Sequence, residues 1–128
     1  MNPQPIARRR GGYLLALALK DKGIEHVFTL AGGFCNPALE GFMELGVQVI
    51  NCPHEQVAGH LADGHARLTR KPAVCLIGPE GFANAVPAMM EAWGERSPVI
   101  FVTGSSTLKR RGETGAPHAR RPRQTRKT

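Results

Sequence analysis

The hydrophobic positions of this 128-residue chain fall into short blocks whose spacing alternates between helical and extended. Tyr13–Lys22 is rich in Leu and Ala and runs into Gly23, which predicts a helix with a glycine stop. HVFTL (His26–Leu30) reads as a short buried strand, and the loop AGGFCNP follows it. Pro37–Leu45 predicts a second helix stopped by Gly46, and VQVINC predicts a second strand. In HEQVAGHLADGHARLTRKP, Val57, Ala58, Leu61, Ala62, His65 and Ala66 recur at helical spacing. They are expected to form the inward stripe of a third helix that begins at His54 or Glu55. AVCLI after Pro72 predicts a third strand, GPEG a turn, Phe82–Trp93 a fourth helix and PVIFVTG a fourth strand. Uninterrupted apolar strands alternating with helices imply an α/β fold, an open parallel sheet with helices on both faces. Folds of that kind place ligands beyond the carboxyl ends of their strands, where the loops AGGF and GPEG fall.

Beyond Gly104 the pattern stops. Leu108 is the last large aliphatic residue, and the stretch from Ser105 to Thr128 cannot bury enough apolar surface to offset the ordering of its chain. This divides the chain into a polar segment (1–10), one domain (11–104) and a basic tail expected to be disordered (105–128). The formal charge of +7 follows the same division, because nine Lys and Arg balance nine Asp and Glu up to Gly104. The charge therefore describes the tail. Its cations could bind nucleic acid in a salt-dependent way, but it has no aromatic residue for base stacking, so selected nucleic-acid binding is not expected. Cys35, Cys52 and Cys75 form no CxxC pair and read as buried, reduced thiols in a cytoplasmic setting. No run approaches the about 20 apolar residues that span a bilayer, so no membrane role is expected.

Few residues stand out as chemistry. Glu55 at a helix start interacts favourably with the helix dipole by about 0.3–1 kcal/mol. Beyond the end of a strand it is also placed to exchange a proton with a bound heterocycle. His60 and His65 are five apart, about 140° around a helix, and cannot act as a facial metal-ligand pair; no metal site is expected. Gly59 and Gly64 weaken a helix unless something approaches the backbone closely. Asp63 and Arg67 form an i, i+4 pair, expected as a surface salt bridge.

Taken in order, "GIEHVFTLAGG", "HEQVAGHLADGHARLTRKPAVCLI", "GPEGFANAV" and "SPVIFVTG" resemble the N-terminal, pyrimidine-binding domain of thiamine diphosphate-dependent enzymes of the acetolactate synthase and benzoylformate decarboxylase type. The resemblance runs from about Gly11 to Gly104. It implies that Glu55 hydrogen-bonds the aminopyrimidine ring of thiamine diphosphate and, by protonating the ring nitrogen, favours the imino tautomer that activates the thiazolium. It also implies cofactor contacts from Gly32 and Gly33 in the AGGF loop, and from Gly81 and Asn84 in GPEGFAN, which is similar to the family's SGPGxTN turn. The sequence departs from the family at Glu80, which interrupts the GPG pattern, and at His65, where Tyr is usual.

No GDG…NN motif is present, so by this resemblance Mg²⁺ and the diphosphate depend on a missing diphosphate-binding domain. FAD belongs only to longer family members. The implied partners are a homo-oligomer or a chain carrying the diphosphate-binding domain, with a small 2-oxo acid as substrate of the complete enzyme. The chain is then a half-site of a decarboxylase or carboligase, inactive alone. The alternatives are a separately encoded subunit like that of sulfopyruvate decarboxylase, or a nonspecific nucleic-acid binder acting through the tail. The loss of pattern after Gly104 is also what a frameshift or premature stop produces.

Overall fold

The computed structural model describes residues 10–105. The polar start and the basic tail read from the sequence lie outside the described residues, apart from Arg10 and Ser105. The elements alternate as expected: α1 (Gly11–Asp21), β1 (His26–Thr29), α2 (Asn36–Glu44), β2 (Gln48–Asn51), α3 (Glu55–Thr69), β3 (Ala73–Ile77), α4 (Phe82–Gly94) and β4 (Val99–Thr103). Gly23 and Gly46 follow α1 and α2 with φ of 85° and 74°, the left-handed backbone that glycine adopts without strain. Pro37 sits in the first turn of α2, where its missing N–H costs nothing. At the start of α3 the Gln56 N–H donates to His54 Nδ1 (3.1 Å), so His54 is the cap and Glu55 the first helical residue.

The four strands form one parallel sheet in the order β2-β1-β3-β4. Phe28 of β1 stands opposite Ile50 of β2 on one side and Cys75 of β3 on the other. The chain thus steps outward from β1 to β2 and then returns past β1 to β3, which makes the β1–β3 boundary the topological switch point. Helices cover both faces. Val27, Val74 and Leu76 pack with Ala16, Leu39 and Phe42 of α1 and α2. Phe28, Cys75 and Ile77 pack with Ala58, Ala62, Ala66 and Ala85 of α3 and α4. All three cysteines are buried and free, in agreement with the sequence reading. Burial, then the neighbouring Cys52 and Cys35 thiols, push the Cys75 thiol up to about 12, so it does not ionise near neutrality. β3 is buried throughout, whereas β4, equally apolar, stands at the edge of the described sheet with Ile100 exposed. Among the described residues no helix is long and apolar enough to cross a membrane.

Two features of α3 differ from the sequence reading. Its buried face consists of Ala58, Gly59, Ala62, Asp63 and Ala66, while Val57 and Leu61 of the expected inward stripe are exposed and His65 is half-buried. The cause is the closeness of α4: a Cβ on Gly59 would lie 2.5 Å from Ala88 Cβ and 3.4 Å from the Phe101 ring. Only the smallest side chains fit there, so the large ones turn outward. The close partner expected at Gly59 is thus a helix of the same chain, whereas a Cβ on Gly64 would meet nothing within 4 Å.

The second difference concerns Asp63, which is buried, at 4% exposure, and does not lie on the surface. Arg67 Nε donates to its Oδ1 (3.0 Å) and Nη2 approaches its Oδ2 (2.6 Å). The same guanidinium reaches Glu91 (3.3 Å) and Glu95 (3.7 Å) at the end of α4. What reads as a local helix pair is therefore a clamp between two helices.

Candidate functional site

Three loops open at the carboxyl edge of the sheet: AGGF after β1, the turn into α3 after β2, and GPEG after β3. Because strand and helix alternate, α3 and α4 both begin there, and the positive end of each helix dipole favours negative charge. Glu55 occupies the first turn of α3, and its side chain is 16% exposed. Asn84, in the first turn of α4, donates from Nδ2 to Glu55 Oε2 (3.1 Å). Gly81 lies directly against the same carboxylate: a Cβ there would stand 2.5 Å from Glu55 Cδ. A side chain at 81 would push the Glu55 side chain aside, so the seating of this carboxylate depends on the glycine. The GPEG turn is closed by the Gly81 N–H donating to the Gly78 carbonyl (3.2 Å), which sets α4 beside α3. His54 Nε2 stands 3.9 Å from Glu55 Oε2 on the open side.

The AGGF loop is held from two sides. The Ala31 N–H donates to Asn51 Oδ1 (3.0 Å) at the end of β2, and a Cβ on Gly104, after β4, would lie 2.7 Å from Phe34 Cβ. Between these anchors Gly32 and Gly33 face open space, with nothing within 4 Å of a Cβ built on either. The Gly32 carbonyl accepts from the Cys35 and Asn36 N–H groups (2.8 and 3.2 Å), turning the chain into α2. Burial, with Glu80 nearby, raises the Cys35 thiol above its ordinary value, which keeps it a packing residue.

Of the five residues singled out by sequence, the structure brings Glu55, Gly81 and Asn84 into direct contact. Gly32 and Gly33 stand on the same edge in a separate loop. Sequence reasoning missed the Asn84–Glu55 hydrogen bond. An Asn three residues past a glycine turn, at a helix start, is the signal that could have found it. It also missed the facing rings of His26 and His65, which lie 40 or so positions apart in sequence and meet only through the β1–α3 contact. Among the described residues no three His, Cys, Asp or Glu side chains gather as a metal site requires.

Fold and site together define an open α/β domain with a largely buried carboxylate at the switch-point edge of its sheet. The comparisons make this specific. The chain belongs to the family described as thiamine pyrophosphate enzyme, N-terminal TPP binding domain, which matches residues 9–125. The matched residues continue past Gly104, where the sequence reading sets the domain boundary. The chain is 36% identical over 110 residues to the acetolactate synthase large subunit IlvG of Mycobacterium tuberculosis, covering 84% of this chain and 20% of that protein. It is 39% identical over 108 residues to 2-hydroxyacyl-CoA lyase 2 of Mus musculus, covering 81% and 17%.

Among solved structures it is similar to a protein from Mycobacterium smegmatis described as thiamin diphosphate-dependent (TM-score 0.70, 25% identity, covering 78% of this chain and 20% of that one). The fold is also that of part of a thiamine diphosphate-dependent 4-hydroxybenzoylformate decarboxylase of Rhodococcus jostii (TM-score 0.76, 22% identity, 82% and 20%). The chain spans about one fifth of the length of the relatives it matches.

Proposed function

We propose that this domain binds the aminopyrimidine end of thiamine diphosphate and supplies half of an active site for a 2-oxo acid decarboxylase or carboligase. The observation that carries the reading is the Glu55 carboxylate, fixed by Asn84 at 3.1 Å and seated on Gly81, at the switch-point edge of the sheet. These residues fit the pyrimidine: a largely buried carboxylate at two helix starts, held in one orientation by a neutral donor, with room beside Gly32 and Gly33. The cofactor supplies the carbanion chemistry when bound, and the protein supplies position and proton control. Glu55 holds or releases a proton at its carboxylate against the ring nitrogen. Asn84 fixes which oxygen faces the ring, Gly81 lets the turn approach, and the AGGF loop walls the pocket from the α2 side.

The described residues do not fit the other end of the cofactor, since no cluster of metal-ligating side chains is present among them. We therefore assign the Mg²⁺ and diphosphate ligands to a second domain or a second chain, with this domain inactive alone. The exposed apolar side chains of α3 and α4, among them Leu68, Met90 and Trp93, support a covering partner. The three free thiols support a reducing, cytoplasmic setting.

The test is exchange of the thiazolium C2 proton in thiamine diphosphate bound to this chain together with one carrying the diphosphate-binding domain. Glu55→Gln is expected to slow that exchange by about 10²–10⁴-fold while leaving the denaturation midpoint near that of the unaltered chain. Exchange at the same rate in both proteins would exclude the role given to Glu55.

A further inference from the structure

At the opposite, amino edge of the sheet, two histidines face each other across the contact between β1 and α3. His26 opens β1, and His65 lies in the C-terminal half of α3, about 15 Å along the helix axis from Glu55. Their ring centroids are 4.5 Å apart with planes inclined by 51°, and the Phe28 ring, two residues along β1, lies 5.6 Å from that of His65. His26 Nδ1 is buried without a hydrogen-bond partner. A neutral pair of rings packs well in this arrangement, but two imidazolium ions at that separation repel and lose hydration together.

The charged groups that face the pair are Glu25, just before β1, and Lys71, just before β3. They are joined to each other by hydrogen bonds of 2.9 and 3.0 Å, so the carboxylate that could offset an imidazolium is already engaged by a cation. Burial first, then His26, hold His65 below its ordinary value of 6.5, against an upward pull from Glu25 and with a smaller downward push from Lys71. His65 is therefore harder to protonate in the fold than in the unfolded chain. Its contribution to stability is complete above 6.5 and is lost as the pH falls through the lower folded value.

We propose that His65, packed against His26, is an acid-sensitive latch that closes α3 onto β1 while its ring is neutral and loosens it when that ring takes up a proton. The latch rests on ring geometry and neighbouring charge alone and does not depend on the cofactor reading. It acts on the same helix that carries Glu55, so mild acid loosens the seating of that helix from its far end.

The experiment is a proton NMR titration of the histidine ring signals of the full chain, with urea denaturation of the unaltered chain and of His65→Phe from about pH 7.5 to about pH 5. His65 is expected to titrate below the ordinary 6.5. The denaturation midpoint of the unaltered chain is expected to fall over this range, and that of His65→Phe to fall by less than half as much. Titration of His65 at or above the ordinary value, or an equal fall in both proteins, overturns the latch. The ring titration is read on the unaltered chain, so it decides the matter even if His65→Phe does not fold.

Discussion

A methyl group added to Gly59 and one added to Gly64 are the same chemical change in the same helix, five residues apart, yet the surroundings oppose them. At Gly59 the new Cβ would stand 2.5 Å from Ala88 Cβ, inside the contact that holds α3 to α4. The gain in helix propensity, about 0.8–1 kcal/mol, is then exceeded by overpacking, which costs about 1–3 kcal/mol. At Gly64 nothing lies within 4 Å, and only the propensity gain remains. Gly59→Ala is therefore expected to lower the urea denaturation midpoint and Gly64→Ala to raise it, the latter corresponding to about 0.5–1 kcal/mol of added stability. Equal shifts in one direction would show that α3 and α4 do not approach as described. The sequence could say that both glycines weaken a helix. It could not say which has a neighbour, because that depends on the helix that begins some twenty residues later.

At the scale of elements, α3 and α4 are joined at one end by Gly59 against Ala88 and at the other by the Asp63–Arg67 clamp. Burial alone raises the Asp63 carboxyl, but hydrogen bonding from Arg67 and Ser97, with the charge of Arg67, together outweigh it and hold Asp63 below its ordinary 3.8. Its stabilising contribution is thus present above that value and is lost as the pH falls through the lower folded one. Asp63→Asn is expected to lower the denaturation midpoint at about pH 7, and the gap from the unaltered chain to shrink as the pH approaches about 3. A gap of constant size across that range would assign Asp63 a packing role and not an ionic one.

This pairing also marks the limit of pattern reading. The four helices, the four strands and the carboxyl-edge loops follow from period and punctuation, whereas the place of Glu55 after a strand makes it a candidate and only the family resemblance gives it a role. The inward stripe of α3 does not follow from period. A periodic pattern assumes that the largest apolar residues face the core, and here Val57 and Leu61 face outward because Ala and Gly are what α4 permits. The order β2-β1-β3-β4 was likewise hidden, since nothing in strand composition tells which strand sits beside which. Gly81 and Asn84 entered only through resemblance to a family turn. Their meeting at Glu55 depends on α3 and α4 starting side by side.

Seen as a whole, the described domain leaves an uncovered apolar face. Phe82, Val86, Met90 and Trp93 recur every three or four residues along α4 and are exposed, Trp93 at 82%. Val57, Leu61 and Leu68 form a matching stripe on α3, with Leu68 at 88%. Since the inward faces of these helices are already filled by Ala and Gly, the outward stripes are a second hydrophobic surface and not misplaced core. They start beside Glu55 and Gly81, so whatever covers them also borders the candidate site. In the absence of a covering chain, the stripes are expected to drive concentration-dependent self-association, measurable by sedimentation velocity.

Burying one such side chain contributes about 1.5–3 kcal/mol, so the double substitution Met90→Lys with Trp93→Lys should weaken association at least about tenfold. It should leave the denaturation midpoint nearly unchanged, because neither residue packs inward. Association as strong as that of the unaltered chain would show that the stripes do not form the contact, and a large fall in the midpoint would show that they belong to the core after all.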